Sequence, residues 1–182
     1  LGEILSVDLR VGQGGFIDND GPYHWRHNRD LSGYNIMQKG IWYEAMMRWI
    51  GPAASVTALT RVNTKTRVDQ DGTRHFITIP DHAEILCEMV SGPVAHMRFS
   101  TVTGLAPANE AWLYGTEGTL SVPNPNTFGG PVRLQRGRGE WHKVSLTHPE
   151  GGRGLGVAEM ASALRNESRS RVDATMANHV LD

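Results

Sequence analysis

Apolar and polar residues alternate along much of this chain, beginning with its first segment. Leu5, Val7, Leu9 and Val11 are each separated by one polar residue, which is the period-two pattern of a strand with one buried face. The same alternation, broken by turn residues such as glycine, returns after Pro52. It predicts further strands at residues 56–64, 75–79, 83–90, 93–103, 110–115, 119–122, 132–135 and 141–146.

A period close to that of an α-helix marks the segment from Ser32 to Ile50. The Ser32 hydroxyl can cap the first turn, and Gly51 followed by Pro52 is a stop signal. One face of this helix is expected to pack on a sheet; it comprises Ile36, Gly40, Tyr43, Met47 and Ile50. A second face combines amides and indoles, namely Asn35, Gln38, Trp42 and Trp49.

Two further helical segments, residues 155–164 and 173–179, follow the last predicted strand. Hairpin-linked strands with helices towards both ends of the chain predict an α+β fold. We expect a large, mostly antiparallel, open-faced sheet with helices on one face. The polar segment 12–31 is long for a loop in a compact domain, which favours a functional role for it.

Composition excludes several classes of protein. The formal net charge of the 182 residues is −1, so nothing in it favours nucleic acid or an anionic membrane as a partner. No apolar run is long enough to span a bilayer, and the single cysteine, Cys87, excludes an internal disulfide framework. With no signal peptide visible, we expect a cytoplasmic protein. The start at Leu1 runs straight into a strand pattern, which suggests a piece of a longer chain.

Four local motifs have a structural interpretation that is simpler than a functional one. The glycines between Gly12 and Gly15 lack the spacing and the following helix of a dinucleotide-binding loop. His24, His27 and Asp30 match no standard zinc pattern, so no metal site is predicted. Cys87 is predicted to be a small buried hydrophobic residue. The segment with Arg133, Arg136 and Arg138 is interpreted as a solvated loop rather than an RNA contact.

The strongest candidate for function combines the 12–31 loop with the helix after it. Amide and indole groups can hydrogen-bond a polyhydroxylated ligand, while ring faces pack on its C–H surface. The alternative is a polar loop that bonds to itself and to the helix. The cluster comprises Arg26, Asn28, Asp30, Tyr34, Asn35, Gln38, Lys39 and Trp42.

Several motifs resemble the C-terminal domain of the Gfo/Idh/MocA oxidoreductases, and the resemblance covers essentially the whole chain. Trp25-Arg26 followed by Ser32-Gly33 is similar to the loop before the family's central helix, and Arg48-Trp49-Ile50-Gly51-Pro52 to its end. Segments 83–100 and 113–120 resemble its hairpin and its G-[ST]-x-G-x-L motif. The resemblance implies that residues 1–182 form a substrate-binding and oligomerisation domain. An N-terminal Rossmann domain, absent from this chain, would bind NAD or NADP.

The chain departs from the family at its usual acid/base group. Many members have Asp-x-Gly-x-His on this helix, where the corresponding residues here are Gln38, Gly40 and Trp42. Neither Gln nor Trp titrates near neutral pH, so another group must take the proton. Lys39, Tyr43 and Glu44 are weak candidates for that role, although Glu44 is also explained by an i,i+4 pair with Arg48.

The resemblance therefore implies the substrate domain of an NAD(P)-dependent sugar or cyclitol oxidoreductase. As an isolated fragment it should be inactive and should bind no cofactor. Arg26, Asn35, Gln38 and Trp42 are the expected substrate-binding residues, and a homodimer through the sheet face is the expected assembly. The alternatives are a non-catalytic carbohydrate-binding or regulatory member, or a dimerisation module that kept the fold.

Overall fold

The computed structural model describes residues 1–34, 39–103, 109–124, 126–147 and 151–181. The helices are a 3-10 turn at Trp25–His27, α1 at Arg29–Ser32, α2 at Lys39–Ile50, α3 at Leu155–Arg165 and α4 at Ala174–Leu181. The strands are β1 Ile4–Gly12, β2 Ala53–Arg61, β3 Thr66–Val68, β4 Arg74–Phe76, β5 His82–Met89, β6 Val94–Ser100, β7 Asn109–Gly115, β8 Gly118–Val122, β9 Val132–Arg136 and β10 Trp141–Val144.

Eight of these strands form one sheet, in the order β10-β9-β8-β7-β1-β6-β5-β2. Six of the seven neighbouring pairs are antiparallel, and β1 with β6 is the parallel pair. The strands β3 and β4 pair separately as a small hairpin. The predicted α+β fold with a large, mostly antiparallel open sheet is confirmed.

The hydrophobic core lies between one face of the sheet and the helix α2. From the sheet come residues that alternate along the strands, because successive side chains point to opposite faces; they include Val7, Leu9, Val11, Ala83, Cys87, Met89, Ala95, Met97, Phe99, Ala111 and Leu113. From α2 come Trp42, Met46 and Ile50, spaced four residues apart. The predicted buried position of Cys87 is confirmed.

The helix predicted at 32–50 was wrong at its beginning. Ser32 ends the short helix α1, which Asn28 caps through a hydrogen bond from the Asp30 amide. Gly33 follows with φ 58°, a left-handed conformation that suits glycine and stops α1. The Ser32 hydroxyl is not an N-cap but donates to the carbonyls of Arg26 and Asn28. The predicted end of α2 at Ile50 is confirmed.

The packing face of α2 also differs from the prediction. Met47 and Ile50 are buried as expected, but Trp42, which we placed on the ligand-facing side, is 4% exposed in the core. Gly40 faces α4 rather than the sheet, since a Cβ built on it would lie 3.4 Å from Val180. Ile36 lies outside the described residues.

Buried polar groups fasten the 12–31 loop to the segment 63–67, which leads into the small hairpin. The buried carboxylate of Asp81 accepts hydrogen bonds from the backbone amides of Asn63 and Thr64 at 2.7–3.0 Å. Arg67, 1% exposed, donates to the Phe16 carbonyl, and the Thr64 hydroxyl donates to the same oxygen at 2.7 Å. These bonds hold the loop that carries Arg26 against the protein body.

Among the residues that the structure describes, no helix has both the length and the apolar character needed to cross a membrane.

Candidate functional site

Arg26 lies on the 3-10 turn and is positioned by contacts within its own loop. The His24 ring accepts from the Arg26 amide at 3.2 Å, and the Arg26 carbonyl accepts from the Ser32 hydroxyl at 2.8 Å. The guanidinium lies 4.4 Å from the Trp25 ring centroid, a cation–π contact. Arg26 is therefore a half-buried, fixed positive charge beside an exposed indole.

The same turn contains a buried histidine, His27, that sequence patterns did not mark as a functional residue. His27 is 5% exposed, and its ring contacts Phe16 edge-to-face at 4.6 Å. Burial, followed by the nearby Arg67 and His24, lowers the pKa of His27 to about 4. The His27 Nδ1 atom accepts from the His24 amide at 2.9 Å, so a neutral imidazole supports the turn.

Two predicted substrate-binding residues, Asn35 and Gln38, lie outside the described residues. Of the other cluster members in this part of the chain, Asn28 caps α1 and Asp30 is exposed beside it. Tyr34 is half-exposed under the guanidinium of Arg29, 4.7 Å from its ring centroid.

The helix α2 separates the remaining candidates onto two sides. On the side towards α4, Lys39 and Tyr43 line a cavity of about 470 Å³ together with His179. The Tyr43 oxygen accepts from the Ala53 amide at 2.9 Å and lies 2.8 Å from His179 Nε2, to which its O–H can donate. Burial raises the pKa of Tyr43, and burial lowers the pKa of Lys39.

On the other side of α2, Trp42 and Glu44 line a depression of about 360 Å³ that is completed by residues 126–128. Glu44 accepts two hydrogen bonds from Arg48, at 2.7 and 3.1 Å, so the predicted i,i+4 pair is confirmed. Only a small part of the Trp42 indole reaches the depression, because the rest is in the core. The structure thus divides Lys39 and Tyr43 from Trp42 and Glu44.

These groups can bind and orient a ligand and exchange protons with it. Burial lowers the pKa of Lys39, and its ammonium donates to the Tyr34 carbonyl at 2.8 Å. Tyr43 and Glu44 already have protein partners, which restricts their movement towards a ligand.

The described residues near the 3-10 turn and after β1 have geometry that suits neither a metal ion nor a dinucleotide. No group of three or more His, Cys, Asp and Glu side chains with metal-binding geometry occurs in the described ranges. After β1 the glycines from Gly12 to Gly15 enter an irregular loop instead of a helix N-terminus. Phosphate binding at a glycine-rich turn needs that helix, because its first amides point at the anion.

Comparison with known protein families gives one match that covers residues 1–121, about two thirds of the chain. The matching family model is described as the GFO/IDH/MocA C-terminal domain. No curated protein sequence matches the chain.

Solved structures with the same fold cover nearly all of this chain. They include a levoglucosan dehydrogenase in complex with NADH and L-sorbose, 16% identical with a TM-score of 0.80, covering 98% of this chain and 54% of that one. An oxidoreductase domain protein from Kribbella flavida is 15% identical with a TM-score of 0.80, covering 99% and 55%. The aldose-aldose oxidoreductase from Caulobacter crescentus, complexed with glycerol, is 18% identical with a TM-score of 0.75, covering 100% and 51%.

At these identities the likeness concerns the fold. The chain spans about half the length of the solved structures it matches.

Proposed function

This chain belongs to the GFO/IDH/MocA C-terminal domain family, and on that premise we propose that it supplies the substrate wall of an NAD- or NADP-dependent oxidoreductase acting on sugars or cyclitols. The observation that supports this most is the family match, together with a fold shared with enzymes described with NADH, L-sorbose and levoglucosan. We further propose that the protein is cytoplasmic.

The proposal assigns the cofactor to another domain and the sugar to this chain, because of the groups that the described residues offer. The dinucleotide belongs to a Rossmann domain elsewhere in the longer protein, since the Gly12–Gly15 loop offers no helix N-terminus. Cofactor binding and hydride transfer are then properties of that longer protein and not of this chain alone. This chain contributes Arg26, Asn35 and Gln38 to the sugar pocket, and also the small accessible part of Trp42, whose indole is 4% exposed. The three weak candidates for the proton acceptor stay divided: Glu44 lies on the Trp42 side of α2 and is paired with Arg48, whereas Lys39 and Tyr43 lie on the side towards α4.

Substituting Gln38→Ala in the longer protein should lower kcat/KM by about 1–3 kcal/mol on its preferred sugar, because a substrate hydroxyl loses its amide partner. The measurement is steady-state kinetics over a panel of sugars and cyclitols. Gln135→Ala is the matched control, since that amide lies on β9 and donates to Gly139 in a surface turn. Equal kcat/KM values for the two variants would show that the pocket is wrongly placed.

The alternative function is a non-catalytic carbohydrate-binding or dimerisation module. The observation that favours it is that all three candidate acid/base groups are held by protein groups: Tyr43 accepts from the Ala53 amide, Glu44 accepts from Arg48, and Lys39 donates to the Tyr34 carbonyl. Sugar binding without turnover in the longer protein, with either nucleotide present, would support this alternative against the enzyme.

We also propose that the second face of the sheet forms a homodimer. This face carries a row of polar contacts: His96 lies 2.9 Å from Glu84 and 3.8 Å from Asp8, and Arg98 forms an ion pair with Glu84 at 3.3 Å. Exposed apolar side chains, including Leu59 and Leu86, lie among the charges. A mixed surface of this kind suits a two-fold interface, in which each patch meets its own copy.

The variant Leu86→Glu should convert the dimer to a monomer, because a two-fold axis brings the new charge into the interface twice. Light scattering at about 100 µM protein measures the mass, a concentration at which even micromolar dimers are populated. Leu164→Glu is the control, since this leucine lies on α3 rather than on a strand of the sheet and is exposed. A wild-type protein that is monomeric under these conditions contradicts the proposed interface.

A further inference from the structure

The cavity between α2 and α4 has walls unlike those of a sugar site. Its sides are formed by apolar residues of β2, β5 and β6, among them Val56, Ile85, Cys87 and Met97, and by Leu181 of α4. Its volume of about 470 Å³ lies in the range of small-molecule sites. A polyhydroxylated ligand would leave many hydroxyl groups unpaired against such walls, which is costly, whereas an apolar body would fill them.

At one end of the cavity the described lining carries a positive charge and no carboxylate. Lys39 lines this end, and none of the described lining residues is Asp or Glu. The Lys39 ammonium donates to the Tyr34 carbonyl at 2.8 Å and keeps further N–H donors. Burial lowers the pKa of Lys39, which records the cost of holding this charge in apolar surroundings. An anion in the cavity would offset that cost.

The neighbouring polar groups are less able to receive the anion. The Tyr43 oxygen already accepts from the Ala53 amide, and its O–H points to His179 Nε2. The pair fixes α4 against α2 and so forms a firm wall beside Lys39. The positive charge, the volume and the apolar walls are therefore complementary to a small ligand with one anionic group and an apolar body.

We propose that this cavity binds a small monocarboxylate with a compact apolar body, its carboxylate on Lys39 and its body against Val56, Ile85 and Met97. This proposal does not rest on the proposed function, although Lys39 is also one of the weak candidates for its proton acceptor. It can be tested on this chain directly, because every wall named belongs to it.

The test uses 4-phenylbutyrate and its neutral analogue 4-phenylbutan-1-ol as probes. Both are titrated into protein labelled with 13C at the methionine methyl groups, where Met97 reports occupancy and Met97→Leu assigns its signal. We expect saturable ring-current shifts of Met97 with a dissociation constant for the carboxylate of about 1 mM or lower. The alcohol should bind about tenfold more weakly, because it cannot form the charge-assisted bond.

Two variants separate the charge from the cavity. Lys39→Met keeps the aliphatic stem and should remove the preference for the carboxylate, while Lys143→Met, on the exposed strand β10, should keep it. Val56→Trp should fill the mouth and abolish binding of both probes. Equal affinity of the two probes for the wild type, no effect of Lys39→Met, or unchanged binding in Val56→Trp would each overturn the proposal. If the Met97 signal shifts when the protein is diluted and not when a probe is added, the cavity is occupied by a second copy of the chain, and the proposal is wrong.

Discussion

Replacing Trp42 with alanine should lower the free energy of unfolding of this domain by about 3–5 kcal/mol, the range for removing a large aromatic from a core. The indole is 4% exposed and packs in the cluster that joins α2 to the sheet, together with Met46 and Ile50. Its removal loses apolar burial and leaves a cavity that a helix packed on a sheet can close only in part. Urea denaturation followed by circular dichroism measures the loss.

The matched control is Trp49→Ala on the same helix. Trp49 is 38% exposed, so we expect a smaller loss of about 1–2 kcal/mol. Equal losses for the two variants would show that Trp42 is not part of the core. The stability data are also needed to interpret kinetics, because a loss of kcat/KM in Trp42→Ala reports on the sugar pocket only at a temperature where the variant is folded.

The same burial changes what is expected from restoring the family's histidine. Trp42→His places a smaller, polar ring in an apolar core, which costs stability as well as lacking the orienting Asp at position 38. Little gain in activity is expected from Trp42→His alone. Pairing it with Gln38→Asp should recover some activity in the longer protein, because the carboxylate can orient the imidazole.

The strands were the part of the fold that sequence patterns predicted best. Their alternation follows directly from burial of one face, as at Val7, Leu9 and Val11, and glycine turns such as Ser91-Gly92 separate the hairpin strands. The order of the strands within the sheet could not be predicted from this alternation. The parallel pairing of β1 with β6 joins segments about 90 residues apart, and nothing local to either strand specifies it.

The helical region was harder, because a periodic pattern does not show where a helix is interrupted. The pattern continues through Gly33, yet the left-handed conformation there ends α1. The choice of the buried face failed for a related reason. Trp42 and Tyr43 are adjacent, and either aromatic ring could be buried. In the structure the Trp42 ring packs in the apolar core, whereas the Tyr43 hydroxyl contacts the Ala53 amide and His179.

The candidate site was predicted only in its local part. Lys39 and Tyr43 share a flank of α2, as their i,i+4 spacing implied. His179 completes that flank from 136 residues away, and no local signal connects it to Tyr43. Arg67 was missed because an arginine in a short strand is usually exposed, whereas here the Phe16 carbonyl and ring enclose it.

The buried histidine behind the Arg26 turn should make the stability of the domain strongly dependent on pH. The pKa of His27 is about 4 in the folded protein and near 6.5 when unfolded, so between these values the unfolded chain binds the extra proton. The stabilisation due to neutral His27 is therefore complete above about pH 7 and is lost as the pH falls towards 4. Between about pH 8 and pH 4.5 the loss should be about 2.5 kcal/mol.

The variant His27→Gln isolates this contribution, since its amide oxygen can still accept from the His24 amide but does not titrate. We expect a lower stability than wild type at about pH 8, because the amide fits the buried site less well, and a shallower decline towards about pH 4.5. His142→Gln, on the exposed strand β10, is the control and should follow the wild-type curve. Urea midpoints measured across the range give both slopes. Parallel curves for wild type and His27→Gln would mean that His27 charges freely in the folded protein, and that the Arg26 turn does not depend on a neutral imidazole.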